Sequence, residues 1–246
     1  MRFFFGDYHL KGMNRLLEHI QHWPSWQLWA FFLLENTAIM IGVLAAGNRL
    51  QRQPLDRMFA YNRRQWVIAG GTNVLNTVVT WVGFQLWANG YIKISTDLSW
   101  RVISDALFLF LAMDLLMYIF HYIIHKTMLY RLLHRLHHEA TDPEPIDLFI
   151  LHPLETLSFG ALWLLLLLAF RLNFYGILIY LFVNVVFGMT GHLGMEPLPE
   201  KMRRWPMFKY LGTSTFHHHH HLDEQHNFGF YTSLWDRLFR TYDNTI

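Results

Sequence analysis

The sequence predicts an all-α protein: a polytopic membrane helical bundle with a cytoplasmic helical cap that carries clustered histidines. Three observations predict it. Residues of the apolar set make up 53% of the 246 and charged residues only 15%, against about 25% charged in ordinary soluble domains. Several apolar runs approach the roughly 20 residues that a helix needs to cross a hydrocarbon core. Of 16 histidines, 13 lie from His121 onward, which places any metal or acid–base chemistry in the second half of the chain. There is no cysteine, so disulfides, thiolate metal sites and Cys nucleophiles are excluded. The formal charge of +2, with no strong basic patch, gives no reason to expect nucleic acid as a partner.

Taken in order, residues 28–46, 66–87 and 102–124 are expected to span. Two shorter runs, 157–170 and 174–189, are separated only by Arg171, Leu172 and Asn173 and read as a helical hairpin, whether or not it crosses fully. The connection after the first run carries Arg49, Arg52, Arg57, Arg63 and Arg64, whereas the next has only Lys93 and Arg101. Basic connections stay on the cytoplasmic side, so the first connection, the end of the third run and the tail after the hairpin are expected inside. The N-terminal stretch then begins outside, and it has no signal-peptide pattern. Breaks are expected in 141–146 and in 196–206, which holds three prolines and leads into a short cytoplasmic helical tail.

The third run ends in His121 and His125, whose spacing of four puts both rings on one helical face. Alone, such a pair reads more simply as interface residues. Asp114 and Tyr118 lie seven and three residues earlier, within about 40° of the same stripe; a carboxylate inside a span usually marks function, and one behind a ligating His fixes its tautomer. Next come His134, His137 and His138, spaced to share one helical face. The last cluster is a run of five, His217 to His221, in which His217, His220 and His221 repeat that spacing while His218 and His219 point elsewhere. The run is internal, 25 residues from the end of the sequence, so a purification tag is a poor explanation. These eight imidazoles are too many for one ion, and two metals sharing a site is the natural solution; imidazole suits Fe, Zn and Cu alike. His192, after the hairpin, is placed to return to the same face, and His152 precedes the hairpin. Either, alone, reads first as a cap. His9, His19 and His22 show no ligand spacing.

These clusters resemble the membrane-bound fatty acid hydroxylase and sterol desaturase superfamily. The resemblance rests on Asp114 and Tyr118 before His121-x3-His125, on His134-x2-His137-His138, on the His152-Pro-Leu-Glu155 segment, on His192-x-Gly194, and on His217-x2-His220-His221 followed by Asn227-Phe-Gly229 and Trp235-Asp236-Arg237-Leu238-Phe239. It covers about 105–241, leaving 1–104 as an N-terminal membrane region with two spans and 242–246 as a tail. The resemblance implies that the three boxes, with His192 as a further ligand, hold two Fe ions on the cytoplasmic face, although a purified sample could carry Zn. It also implies hydroxylation or desaturation of a lipid by O2.

An unactivated C–H bond is out of reach of acid–base catalysis, and the protein's part is then ligands, a dry pocket and substrate position. Asp114, Asp236 and Glu155 are the expected supporting carboxylates, and Asn227 is expected to brace the last box through its side chain. Each has an alternative as an ordinary cap or surface ion pair, and for Glu155 and Asp236 that alternative weighs nearly as much. The sequence shows no haem or iron–sulfur domain, so electrons are expected from an external carrier and reductase, and the compact chain is expected in a bacterial inner membrane. A zinc-dependent membrane hydrolase, and a non-catalytic metal carrier or bis-His haem protein, are the competing classes.

Overall fold

A computed structural model describes residues 12–243 except 14, 204, 206 and 207. Helices α1 (Ser25–Leu50), α2 (Arg63–Ala88) and α3 (Arg101–Lys126) are followed by α4 (Pro153–Ala169), α5 (Phe174–Gly191), α6 (Ser214–Leu222) and α7 (Leu234–Phe239). Four of them, α1, α2, α3 and α5, are long and apolar enough to cross a membrane, and α4 is apolar but shorter. In the best window of each candidate span only 22–33% of residues are buried, so most of their apolar surface faces outward, as it must when the surroundings are lipid.

Local chemistry sets the boundaries. Asn62 and Gln65 form a reciprocal capping box on α2, each side chain bonded to the other's backbone N–H at 3.0 Å. Pro153 occupies the first turn of α4, where its missing N–H costs nothing, and the His152 ring accepts from Leu154 N at 3.3 Å. That is the capping role read for His152. Asn173 caps α5 by accepting from Tyr175 N at 2.9 Å.

The expected hairpin is found as two consecutive helices but not as a closely packed pair. The chief partner of α4 is α2, and that of α5 is α3. The two meet through side chains, such as Trp163 stacked on Tyr180. At one end of the bundle, Ile94–Ser95 (β1) pairs in parallel with Leu172–Asn173 (β2), and Asp105 accepts from Asn173 N at 2.7 Å. The ends of α1, α3 and α5 and the starts of α2 and α4 gather at the other end. There Gln51 donates to Leu193 O at 2.7 Å, Arg57 pairs with Glu144 at 2.7 Å and Arg64 with Glu139 at 2.8 Å. The arginine-rich connection and the histidines thus share one end.

Candidate metal centre

Nine imidazoles converge at this end in two groups. His121, His125, His134, His138 and His220 form one; His137, His192, His217 and His221 form the other, and within each group one ligand atom per residue lies within 4.8 Å of every other. His121 and His125 come from the last turns of α3, His192 caps α5, and His217, His220 and His221 ride on α6. All nine residues proposed as ligands from the sequence are therefore brought together, including His192, which on its own read as a cap.

His134, His137 and His138 do converge as their spacing predicts, with ring centroids 4.7–5.7 Å apart, but they ride on a π-helical turn (Tyr130–His134) followed by a 3-10 turn (His137–Glu139) and not on a regular α-helix. His134 and His138 enter the five-histidine group and His137 the other. The last box is divided as well. His217 and His221, four apart on α6, point into the four-histidine group, while His220 points into its neighbour. His218, as expected, turns away, toward Thr141 O at 3.1 Å.

Ring protonation tests whether the groups fit a cation. The Nδ1 atoms of His121, His220 and His192 lie 2.8, 2.7 and 2.8 Å from the carbonyl oxygens of Phe228, His226 and Gly188. A carbonyl only accepts, so each Nδ1 carries the proton and each Nε2 of the neutral ring presents a lone pair. His134 Nδ1 faces Glu155 at 2.5 Å, and an ionised carboxylate there, which can only accept, has the same result. Yet His121 Nε2 lies 2.9 Å from His134 Nε2 and 3.1 Å from His220 Nε2. Facing lone pairs at that distance repel, and a cation between them removes the conflict. Metal–imidazole bonds of about 2.0–2.1 Å would bring neighbouring ligand atoms to about 3 Å from one another. Both nitrogens of buried His138 also lack a hydrogen-bond partner among the described residues. The donor set fits metal.

Burial holds the rings neutral. His192 is lowered to about 4 and His221 to about 3, in each case first by loss of solvent and for His221 also by its neighbour His192. His134, His137, His217 and His220 are driven well below the ordinary histidine range, first by burial and then by neighbouring imidazoles. In the unfolded chain these rings take up protons near pH 6.5. A folded pKa below the unfolded one gives stability that is complete above pH 6.5 and falls as pH drops toward about 4. Metal-free protein is therefore expected to lose thermal stability steeply below pH 6.5 and to be nearly flat from 7 to 8. A flat profile from 7 down to 5 in a melting series would contradict the protonation states assigned here.

Of the expected supporting residues, Glu155 and Asp236 serve the rings, directly or at one remove, whereas Asp114 and Tyr118 do not. Asp114 and Tyr118 touch none of the nine rings among the described contacts. Asp114 accepts from Tyr231 N (2.9 Å), Thr232 N (3.1 Å), Thr232 Oγ1 (2.5 Å) and Trp235 Nε1 (3.0 Å), so it clamps the C-terminal segment and is not a carboxylate behind a histidine. Tyr118 bonds Thr241 at 3.0 Å. Asp236 acts at one remove. Its two oxygens accept from Phe228 N and Gly229 N, each at 2.8 Å, and the Phe228 carbonyl seats His121. Asn227, with φ of 61°, turns the chain so that the carbonyls on either side of it reach His220 and His121. Its contribution is this left-handed backbone, and its side chain instead accepts from Asp243 N at 3.0 Å. Among the described residues Glu155 is the one carboxylate within hydrogen-bond distance of one of the nine rings, at 2.5 Å from His134, while Glu224, which sequence reasoning missed, lies 3.9 Å from His138 Nδ1.

Glu155→Gln should weaken metal retention by about 10–100-fold, the usual cost of losing such a partner. Competition against a graded series of chelators checks this, and retention equal to the parent protein would contradict the role. The three seating carbonyls, of Gly188, His226 and Phe228, are invisible in a sequence because every residue has one; the positive φ of Asn227 is hinted at only by asparagine's tolerance of that conformation.

Fold and site together define a helical membrane protein with two adjoining all-histidine groups, each able to hold a metal ion, at one end of its bundle. The chain belongs to the fatty acid hydroxylase family, whose model matches residues 106–241. A search of curated proteins and a search of solved structures each returned no match. The family is one of membrane hydroxylases and desaturases.

Proposed function

We propose that this protein is an integral-membrane oxygenase that hydroxylates, or desaturates, a C–H bond of a lipid, with iron held by the nine histidines. The observation that carries the reading is the pair of adjoining, buried, all-imidazole groups. Rings of His134 and His137 stack with centroids 5.1 Å apart, and those of His138 and His221 at 4.6 Å, close enough for two ions to share one substrate. Nine imidazoles far exceed the three protein ligands and open position typical of zinc hydrolases. When bound, an iron pair supplies the electron-transfer chemistry with O2 that side chains lack. The hydroxylation RH + O2 + 2e⁻ + 2H⁺ → ROH + H2O then draws its electrons from an external carrier and reductase.

The chain's own residues do the rest. His121, His125, His134, His138 and His220 would hold one ion, and His137, His192, His217 and His221 the other. Glu155 and the three carbonyls hold the Nδ1 protons of His134, His121, His192 and His220 and aim the lone pairs of those four rings inward. Phe228, against His121, His125 and His220, and Phe230, against His217, exclude water from the rings. Because the arginines of residues 49–64 share this end, the positive-inside rule supports a cytoplasmic site. Lipid extracts of cells with and without the protein provide the test: a class of lipid heavier by one oxygen or lighter by two hydrogens is expected, only when air is supplied. The same product formed equally without air would overturn the proposal, and so would cleavage of a lipid with uptake of water in place of it, the mark of a hydrolase.

A further inference from the structure

The segment 228–239 was expected in a cytoplasmic tail, yet it packs far along the spans. Tyr231 is fully buried in a core with Leu109, Met113, Ile177 and Tyr180, and its hydroxyl bonds Tyr180 at 2.8 Å and Asn184 at 2.6 Å. At 1.5 Å per residue, Asn184 and Tyr180 lie about 10 and 17 Å back from the site end of α5, and Asp114 about 18 Å back from the end of α3. Non-helical backbone at such depth is tolerated only where its polar groups are satisfied by protein. The Asp114 carboxylate does this for Tyr231 N and Thr232 N.

The next residues form α7, whose outer face is apolar. Leu238 is 65% exposed and Phe239 55%, with Leu234 exposed beside them one turn away. Phe239 stacks on Tyr118 at 5.5 Å, and Tyr118 shares a helical stripe of α3 with Leu111 and Leu107, both exposed. That stripe belongs to a span of mean hydropathy 2.1. The exposed edge of α7 thus continues the lipid-facing surface of α3. On the other side of α7, Arg237 lies over the Tyr242 ring at 3.6 Å, away from this edge.

We propose that residues 228–239 are a re-entrant element seated within the bilayer, with Leu234, Leu238 and Phe239 against lipid acyl chains and Asp114 sustaining the buried turn. Depth and exposure place this element, independently of the metal and the reaction, so its placement stands or falls separately from the oxygenase function.

The cysteine-free chain makes the test direct. Leu238→Cys and, independently, Leu234→Cys would be labelled with a small fluorophore in the full-length, metal-loaded protein in phosphatidylcholine nanodiscs. Asp56→Cys, in the exposed connection, and Leu165→Cys, on the outer face of α4, serve as water and lipid standards. A nitroxide at mid-chain of the lipid should quench the α7 labels at least ~3-fold more than the Asp56 label, and aqueous iodide at least ~3-fold less, as expected for an apolar face about 5–10 Å below the headgroups. Iodide quenching equal to that at Asp56 overturns the proposal. So does shielding from both quenchers, which would mean that a second copy of the chain covers the face. Two label positions guard against one variant misfolding.

Discussion

Replacing His137 by alanine is expected to empty the four-histidine group and to abolish product formation. His137 Nε2 lies 3.4 Å from His192 Nε2, and its ring centroid is 4.8 Å from that of His221. It is also the only member of this group from the 130–139 segment, so its loss detaches the group from that side. Three imidazoles would remain, buried and neutral, with a void where the fourth stood. Metal bound per purified chain should fall from about two ions to about one, on the reading that each group holds one ion, and lipid product by at least ~100-fold, since ligand loss costs more than loss of a ligand's partner. The five-histidine group keeps all its members, which separates this outcome from general unfolding. Unchanged metal content with unchanged product would refute the assignment.

The second large effect is expected at Asp114. Its carboxylate takes four hydrogen bonds, from Tyr231 N, Thr232 N, Thr232 Oγ1 and Trp235 Nε1, and is completely buried. Asp114→Ala strands two backbone donors and an indole N–H without water. At about 1–3 kcal/mol for each stranded buried group, the loss should be about 3–5 kcal/mol even if the site partly relaxes. Hydrogen exchange of the 228–236 backbone should speed up before the rest of the protein opens, and the melting temperature should fall. A variant within about 1 kcal/mol of the parent would show that the clamp is dispensable. This signature also distinguishes a structural clamp from a chemical role, because a group acting only in the reaction would leave exchange unchanged.

Much of this was legible in the sequence, for identifiable reasons. Apolar runs near 20 residues mark spans because lipid demands internally satisfied backbone, and the first three run 28–46, 66–87 and 102–124 within α1, α2 and α3. The histidines could be counted and all nine gathered because imidazoles at such spacing are costly to bury without a purpose. Their division between two groups was not legible. It depends on how the packed elements aim each ring, since His137 parts from His134 and His138 on irregular turns and His220 parts from His217 and His221 on the regular helix α6. Asp114 misled for a related reason: a carboxylate in a span announces that something needs it, but whether that is a metal ligand or a buried turn 117 residues away in the chain is a tertiary fact. In the sequence Asp114, on the His121 stripe, looked the stronger candidate of the two; contact with His134 reverses that order in favour of Glu155.

The division of the last two boxes also dictates an order of maturation. His134 and His138 sit with His220, and His137 sits with His217 and His221, so neither half is complete until α6 has been synthesised and folded back. The spans must therefore be inserted before any ion can be fully bound, and loading is a late, post-insertional event. Once in place, the ions would fasten the 214–222 helix to α3, α5 and the 130–139 segment at once, as cross-links do. In a chain without a single cysteine, metal is then the only such fastener between distant parts of the sequence. Starvation for metal should accordingly leave a membrane-inserted precursor whose 214–222 helix is loose while Asp114 still holds the 228–239 segment, and proteases on that side would cut within 214–222 first.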